Sequence, residues 1–225
     1  MTRPQSILRA AGAVVVPGAL AVAAAFAASA PAAHPAVADA AAAGFRPGAG
    51  DVSIARQRLN VVAGRRALVA GTLAGAGSGR AVALQRRSGA GWDTIGRDTT
   101  AADGGFAFRF RPREPGSAAV RVRSGTSRRG VGRLNVYRRA QVSWYGPGLY
   151  GGHLGCGGTL TPGTLGVAHK TLPCGAKVTL RHGGRTVRVP VVDRGPYAGQ
   201  REFDLTAATK SRLGFSGVGS ILVAD

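Results

Sequence analysis

From Arg58 onward the chain is written in short alternating runs, RLNVV, ALVAGTL, AVALQRR, WDTIGRDTT, GFAFRFRP, SAAVRVRS and GRLNVYR. Gly, Ser, Asp and Pro separate them at intervals of about 8–12 residues, the spacing of an antiparallel sandwich of roughly seven strands. Within GFAFRFRP the aromatic positions 106, 108 and 110 fall on one side of a strand, and Ala107 and Arg109 on the other. One face is therefore core and one solvated. Trp92 is expected to anchor that core. No acid pair or nucleophile stands in a setting suited to catalysis here, so residues 51–138 read as a spacer or binding module.

The same punctuation continues to the C-terminus. Strands are expected near residues 141–145, 165–169, 177–181, 185–192, 202–204 and 220–223, with the Gly pair of His182-Gly183-Gly184 turning one hairpin. One short helix interrupts them: Thr206 is a natural N-cap, residues 207–213 are good helix formers, and Gly214 suits the C′ position. Residues 139–225 follow the first module without a long linker, and the fold class is all-β. A barrel, which closes its own edges, suits a protein exposed outside the cell.

The N-terminus points the same way. Arg3 and Arg9 precede a small-apolar stretch from residue 10 to 30, with A-x-A-like sites at residues 28–30 and 38–40. These are the marks of a secretory signal, so residues 1–43 are expected to be a signal peptide and Ala/Pro-rich leader, and 44–50 a linker. The stretch is rich in Ala and broken by Pro17 and Gly18, which argues against a stable membrane anchor. No cysteine lies near either expected cleavage site, so no lipid attachment is expected there.

The charge is strongly one-sided, with 30 Lys and Arg against 10 Asp and Glu. Residues 51–138 hold 17 basic and 5 acidic side chains, and residues 139–225 hold 10 and 4. A field of this sign favours polyanions. For an exported chain these are anionic wall polymers, stem-peptide carboxylates or anionic lipid head groups, and the signal sequence argues against nucleic acid. The alternative is that a base composition favouring Arg codons accounts for part of the same excess.

The two cysteines, Cys156 and Cys174, most simply pair in an exported chain. Closing that loop is worth on the order of 3 kcal/mol. The alternative is a metal site of Cys156, Cys174, His169 and His153, but the spacing fits no common ligand pattern. Neither a metal nor another cofactor is expected.

Four segments carry the chemistry: VSWYGPG (142–148), AHKTLPCG (168–175), VVDRGPY (191–197) and REFDLT (201–206). In this order they resemble the double-psi β-barrel domain of rare lipoprotein A-like proteins, and more distantly the expansins. The segment from residue 102 to 123 likewise resembles later strands of bacterial immunoglobulin-like modules. These resemblances imply an immunoglobulin-like β-sandwich followed by a six-stranded double-psi β-barrel. They also imply a secreted, wall-associated protein that grips peptidoglycan glycan strands and, in some relatives, cleaves them as a lytic transglycosylase.

Lytic transglycosylases need only one acid/base, because the muramic acid C6 hydroxyl attacks internally. Asp204, in the D-L-T segment, is the residue expected to serve. The other reading of Asp204 is a carboxylate interacting with the N-terminus of the helix. The resemblance gives Asp193 a substrate-contacting or electrostatic role, against the alternative of an Asx-turn carboxylate paired with Arg194. It gives His169 a hydrogen bond to the acid or to a sugar N-acetyl group, against a purely structural place. Tyr145 or Trp144 is expected as a stacking platform, only one of them by strand alternation. Tyr197 is a second platform, and Arg194 and Lys170 are expected to hold substrate carbonyls or carboxylates.

The chain departs from the pattern at one place. Active relatives carry A-S-G-E before the A-H-K-T-L-P strand, and gapless alignment back from His169 puts Gly158 where the glutamate stands. That loss opens the alternative of a non-catalytic, expansin-like wall binder.

Overall fold

A computed structural model describes residues 50–225; the leader expected at 1–43 and nearly all of the linker expected at 44–50 lie outside the described residues. The first eight strands are β1 (Val52–Arg58), β2 (Asn60–Val62), β3 (Ala67–Leu73), β4 (Ala81–Ser88), β5 (Gly91–Thr99), β6 (Gly105–Phe110), β7 (Gly116–Ser124) and β8 (Ser127–Tyr145). They form two sheets, β1-β3-β6 and β2-β8-β7-β4-β5, around a shared core that includes Val69, Leu84, Phe106, Phe108, Val120 and Val122. The alternation in β6 is as expected: Phe106 and Phe108 are buried, Phe110 packs against the same core, and Arg109 is exposed.

Two details differ from the sequence reading. Strand β1 is an edge strand with a bulge between Ile54 and Arg56 and only Val52 buried, so its sequence carries no clean alternation. Trp92 does not anchor the core. It pairs with Arg87 across the β4–β5 ladder on the outer face, where the Arg121 guanidinium carbon lies 4.1 Å from its ring centroid and that of Arg87 5.8 Å away.

The remaining elements are β9 (Val167–His169), β10 (Lys177–His182), β11 (Arg185–Asp193), β12 (Phe203–Thr206), the helix α1 (Ala207–Leu213) and β13 (Gly219–Ala224). Pairing runs β8-β12-β9-β11-β10-β13 and returns to β8, so six strands close into a ring. Val142, Val167, Leu180, Phe203, Leu205 and Val223 fill its centre, each at 0 % exposure. The β10–β11 hairpin turns on Gly183 and Gly184, both at positive φ, between paired His182 and Arg185. Thr206 caps α1 by accepting from the Thr209 N–H, and Gly214 ends it in the left-handed region.

Strand β8 is 19 residues long. Its first part pairs with β7 and its last part with β12 and β13, so the expected boundary between Arg138 and Arg139 falls inside a continuous strand.

Candidate functional site

Four neighbouring strands of the barrel place one residue each in a single row. Asp204 on β12 is opposite Ser143 on β8 and opposite Ala168 on β9, and Ala168 is also opposite Asp193 on β11. Ser143, Asp204, Ala168 and Asp193 therefore stand side by side. On β12 the neighbours of Asp204, Phe203 and Leu205, are fully buried in the barrel, so alternation turns the Asp204 carboxyl to the outer side. On β11, Val191 is buried, and strict alternation would turn Asp193 inward with it. A bulge between Val191 and Asp193 sets Asp193 back opposite Ala168.

Asp204 is half-buried and accepts a hydrogen bond from Ser143 Oγ. Partial burial pushes its carboxyl above the usual carboxylate range, and Arg201 partly offsets this. Tyr145, two residues beyond Ser143, shares its side of the strand. Its hydroxyl is buried, and no partner meets hydrogen-bond geometry. Burial first, then the nearby Asp193 carboxylate and to a lesser degree Asp204, hold the phenol protonated far above its ordinary range. Tyr145 thus lies close enough to both acids to feel their charge.

Asp193 Oδ1 accepts from the backbone N–H groups of Gly155, at 2.7 Å, and Arg194, at 2.8 Å. The Asx-type contact to Arg194 is thus made through the backbone. The Arg194 guanidinium is committed elsewhere: Nη1 donates to the carbonyls of His169 and Leu172, and Nη2 lies 2.9 Å from Cys174 Sγ. These bonds hold the 169–174 loop, and the expected grip of Arg194 on substrate gives way to that task. Cys156 and Cys174 are joined in a disulfide with Cα atoms 5.5 Å apart. It ties the loop carrying Gly155 to the loop held by Arg194. Both sulfurs are bonded to each other, so neither is a thiolate ligand, and His153 instead bridges Thr159 in the loop backbone.

His169 is paired with Phe203, one position away from Asp204, and its ring packs on that of Phe203 at 4.6 Å. Its Nδ1 accepts from the N–H groups of Thr171 and Leu172, which leaves Nε2 to carry the proton of the neutral ring. Burial holds its pKa below the ordinary histidine value, with Asp225 the largest opposing influence. Among the described residues no hydrogen bond joins it to either aspartate. The sequence motif brings it to the site's edge, but the register keeps it off the row.

The other expected residues are divided. Trp144 turns with Val142 toward the barrel interior, and Lys210 of α1 lies 4.0 Å from its ring centroid, so this face is already occupied. Tyr197 is 79 % exposed on the loop after β11, and Lys170 is also exposed. Glu202 is drawn away to an ion pair with Arg138 at 2.5 Å. Gly158 sits at φ +82° in a turn where its carbonyl accepts from the Leu154 N–H.

The sequence reading passed over Ser143, Gly155 and Ala168. Each acquires its place only through pairing between segments distant in the chain. A polar residue amid VSWY was the one available signal, for Ser143. At Gly155 an added Cβ would lie 2.9 Å from Arg194 Cγ and 3.0 Å from Asp193 Oδ1, so the close approach requires glycine.

A closed six-stranded ring carries this row, and a family match covers the same part of the chain. Residues 138–224 match the family described as lytic transglycolase, and this part of the chain is similar to rare lipoprotein A-like proteins. The probable endolytic peptidoglycan transglycosylase RlpA of Synechocystis is 42% identical over 104 residues, covering 40% of this chain and 32% of that protein. The endolytic peptidoglycan transglycosylase RlpA of Campylobacter jejuni is 42% identical over 74 residues, covering 32% of this chain and 27% of that protein. The probable enzyme of the same name from Aquifex aeolicus is 37% identical over 87 residues, covering 38% of each. The chain thus spans about a third of the length of these curated relatives. Among solved structures, the Streptomyces papain inhibitor (SPI) is 24% identical, with a TM-score of 0.31 over 39% of this chain and 90% of that one.

Proposed function

We propose that the barrel binds peptidoglycan glycan strands outside the cytoplasm and cleaves them as a lytic transglycosylase, with Asp204 as the single acid and base. The observation that carries this reading is the row Ser143–Asp204–Ala168–Asp193, in which one carboxyl has a raised pKa and a hydroxyl donor while the other is held by two backbone N–H groups. Protonated Asp204 gives its proton to the glycosidic oxygen as the bond from that oxygen to C1 breaks. The muramic acid C6 hydroxyl then bonds to C1, and the Asp204 carboxylate takes the hydroxyl proton, so the acid is regenerated and the product is an anhydro-sugar. Asp193, held by the Gly155 and Arg194 N–H groups, stabilises the positive charge that develops at C1. The buried Tyr145 hydroxyl beside Asp193 is a donor for a sugar oxygen. Tyr197 offers an exposed ring face to the sugar, and His169 and Lys170 act at the rim.

The names of the relatives favour cleavage over a non-catalytic, expansin-like role, even though Gly158 stands where the family glutamate is expected. The test is mass spectrometry of the soluble products after incubating the protein with sacculi. Anhydro-muropeptides are expected from the unaltered protein and not from a folded Asp204→Asn variant. Pelleting on sacculi with no soluble product would overturn cleavage and leave binding alone.

A further inference from the structure

The outer face of the sandwich sheet carries a second, separate concentration of chemistry. Across β5, β4, β7 and β8, the registers Arg87↔Trp92, Ala83↔Arg97, Gln85↔Arg121, Arg123↔Arg128 and Ala119↔Arg133 put six arginines and one tryptophan on the side opposite the buried Leu84, Val120 and Val122. Among the described residues the strands of this face carry no carboxylate on this side: Asp93 and Asp98 alternate to the other side of β5, where Asp98 accepts from the Ala107 N–H, and Glu114 lies beside Arg87 at the end of the face. Among the described residues the ion pairs recorded join Arg138 to Glu202 and Asp225, so none of these six arginines is neutralised.

We infer that this face, Arg87, Arg97, Arg121, Arg123, Arg128 and Arg133 with Trp92, is a docking surface for a phosphodiester-linked anionic wall polymer. The inference rests on the extracytoplasmic placement proposed above, but not on cleavage by the barrel.

Three observations carry it beyond net charge. First, Arg121 and Arg123 are held in place by one edge. Arg121 donates through Nε to Gln85 and stacks on Trp92, and Arg123 donates through Nε to the Gly125 carbonyl. The terminal nitrogens of both remain as donors, in the planar fork that matches phosphate, and little side-chain freedom remains to be lost on binding. Second, spacing matches a linear polyanion: same-face residues such as Arg121 and Arg123 stand about 7 Å apart along a strand, on the scale of one phosphodiester repeat. Third, crowding is unfavourable without a ligand. Desolvation, then Arg128, Arg123 and Arg87, hold the Arg121 guanidinium below its ordinary pKa, and a bound polyanion would relieve that repulsion. The basic track continues onto the barrel, where desolvation and then Arg133 hold the Arg188 guanidinium of β11 below its ordinary pKa and Thr179, its register partner, hydrogen-bonds Ser117.

The test is fluorescence anisotropy with a labelled poly(glycerol phosphate) oligomer, using the whole protein. Tight binding at low salt should weaken steeply as salt rises, as counterion release requires. The triple variant Arg121→Gln, Arg123→Gln, Arg128→Gln should lose at least tenfold in affinity. The triple variant Arg56→Gln, Arg65→Gln, Arg66→Gln, with the same change in charge but residues outside this face, should lose less than threefold. In a Trp144→Phe protein the polymer should shift the remaining Trp92 emission. Equal losses in the two triple variants would reduce the effect to net charge and overturn the surface. So would stronger competition by phosphatidylglycerol vesicles or single-stranded DNA at equal phosphate, which would reassign the face to a membrane or to nucleic acid. Asp204→Asn should bind the polymer unchanged, so failed cleavage and failed docking are separate results.

Discussion

Gly155 and Asp204 show how much of the site hangs on single atoms. A methyl group at Gly155 would meet both Asp193 Oδ1 and the Arg194 side chain, so Gly155→Ala should displace the carboxylate. We expect a loss of about 1–3 kcal/mol in denaturant unfolding from the forced contact. Release of anhydro-muropeptides from sacculi should fall at least tenfold. At Asp204 the raised pKa means that the folded protein binds the proton more tightly than the unfolded chain. Its contribution to stability is therefore present below the unfolded carboxyl pKa and is lost as pH rises through the folded one. Asp204→Asn should accordingly raise Tm at pH 7 and leave it nearly unchanged at pH 3, measured by calorimetry, while abolishing turnover. His169 carries the opposite sign. Its lowered pKa penalises folding only as pH falls below the ordinary histidine range, when the ring must charge and Nδ1 must give up the Thr171 and Leu172 N–H groups. Nitrogen-15 NMR should find the neutral Nε2–H tautomer persisting below pH 6.5, the ordinary value.

Elements were more legible in the sequence than the contacts between them. The helix α1, its Thr206 cap and its Gly214 terminus lie where the residues indicate, because capping chemistry is local. Thr206 is also fully buried and hydrogen-bonded to Thr209 and to Gly166 of the preceding loop. Thr206→Ala should therefore cost about 1–2 kcal/mol, at the upper end for a cap, read from urea unfolding. Register was not legible in the same way. The A-H-K-T motif draws attention to His169, yet the residue between the carboxylates is Ala168, because strand pairing is fixed by contacts between distant segments and a shift of one position exchanges the faces. The bulge before Asp193 and the outward turn of Trp92 were hidden for the same reason: each depends on a neighbouring strand rather than on the segment's own pattern. The composition did show the excess of arginine, though not its concentration on one sheet face.

For the whole molecule, two features bind the parts together. The Cys156–Cys174 disulfide closes a loop with a sequence separation of 18, and replacing both cysteines with serine should lower stability by about 3 kcal/mol. The same change frees the Gly155 loop from its anchor, so activity on sacculi should fall along with Tm. Strand β8 is the second feature, since sandwich and barrel each use part of it as a structural strand. Calorimetry should therefore show one cooperative transition in place of two. Proteins that bind a polymer with one domain and process it with another commonly join the two by a flexible tether, and the local concentration of substrate then depends on tether length. Here the tether has zero length. A wall polymer docked on the arginine face would therefore hold the carboxylate row at a fixed offset from its anchor, set by the shared strand β8, so the protein would act as a ruler along the wall.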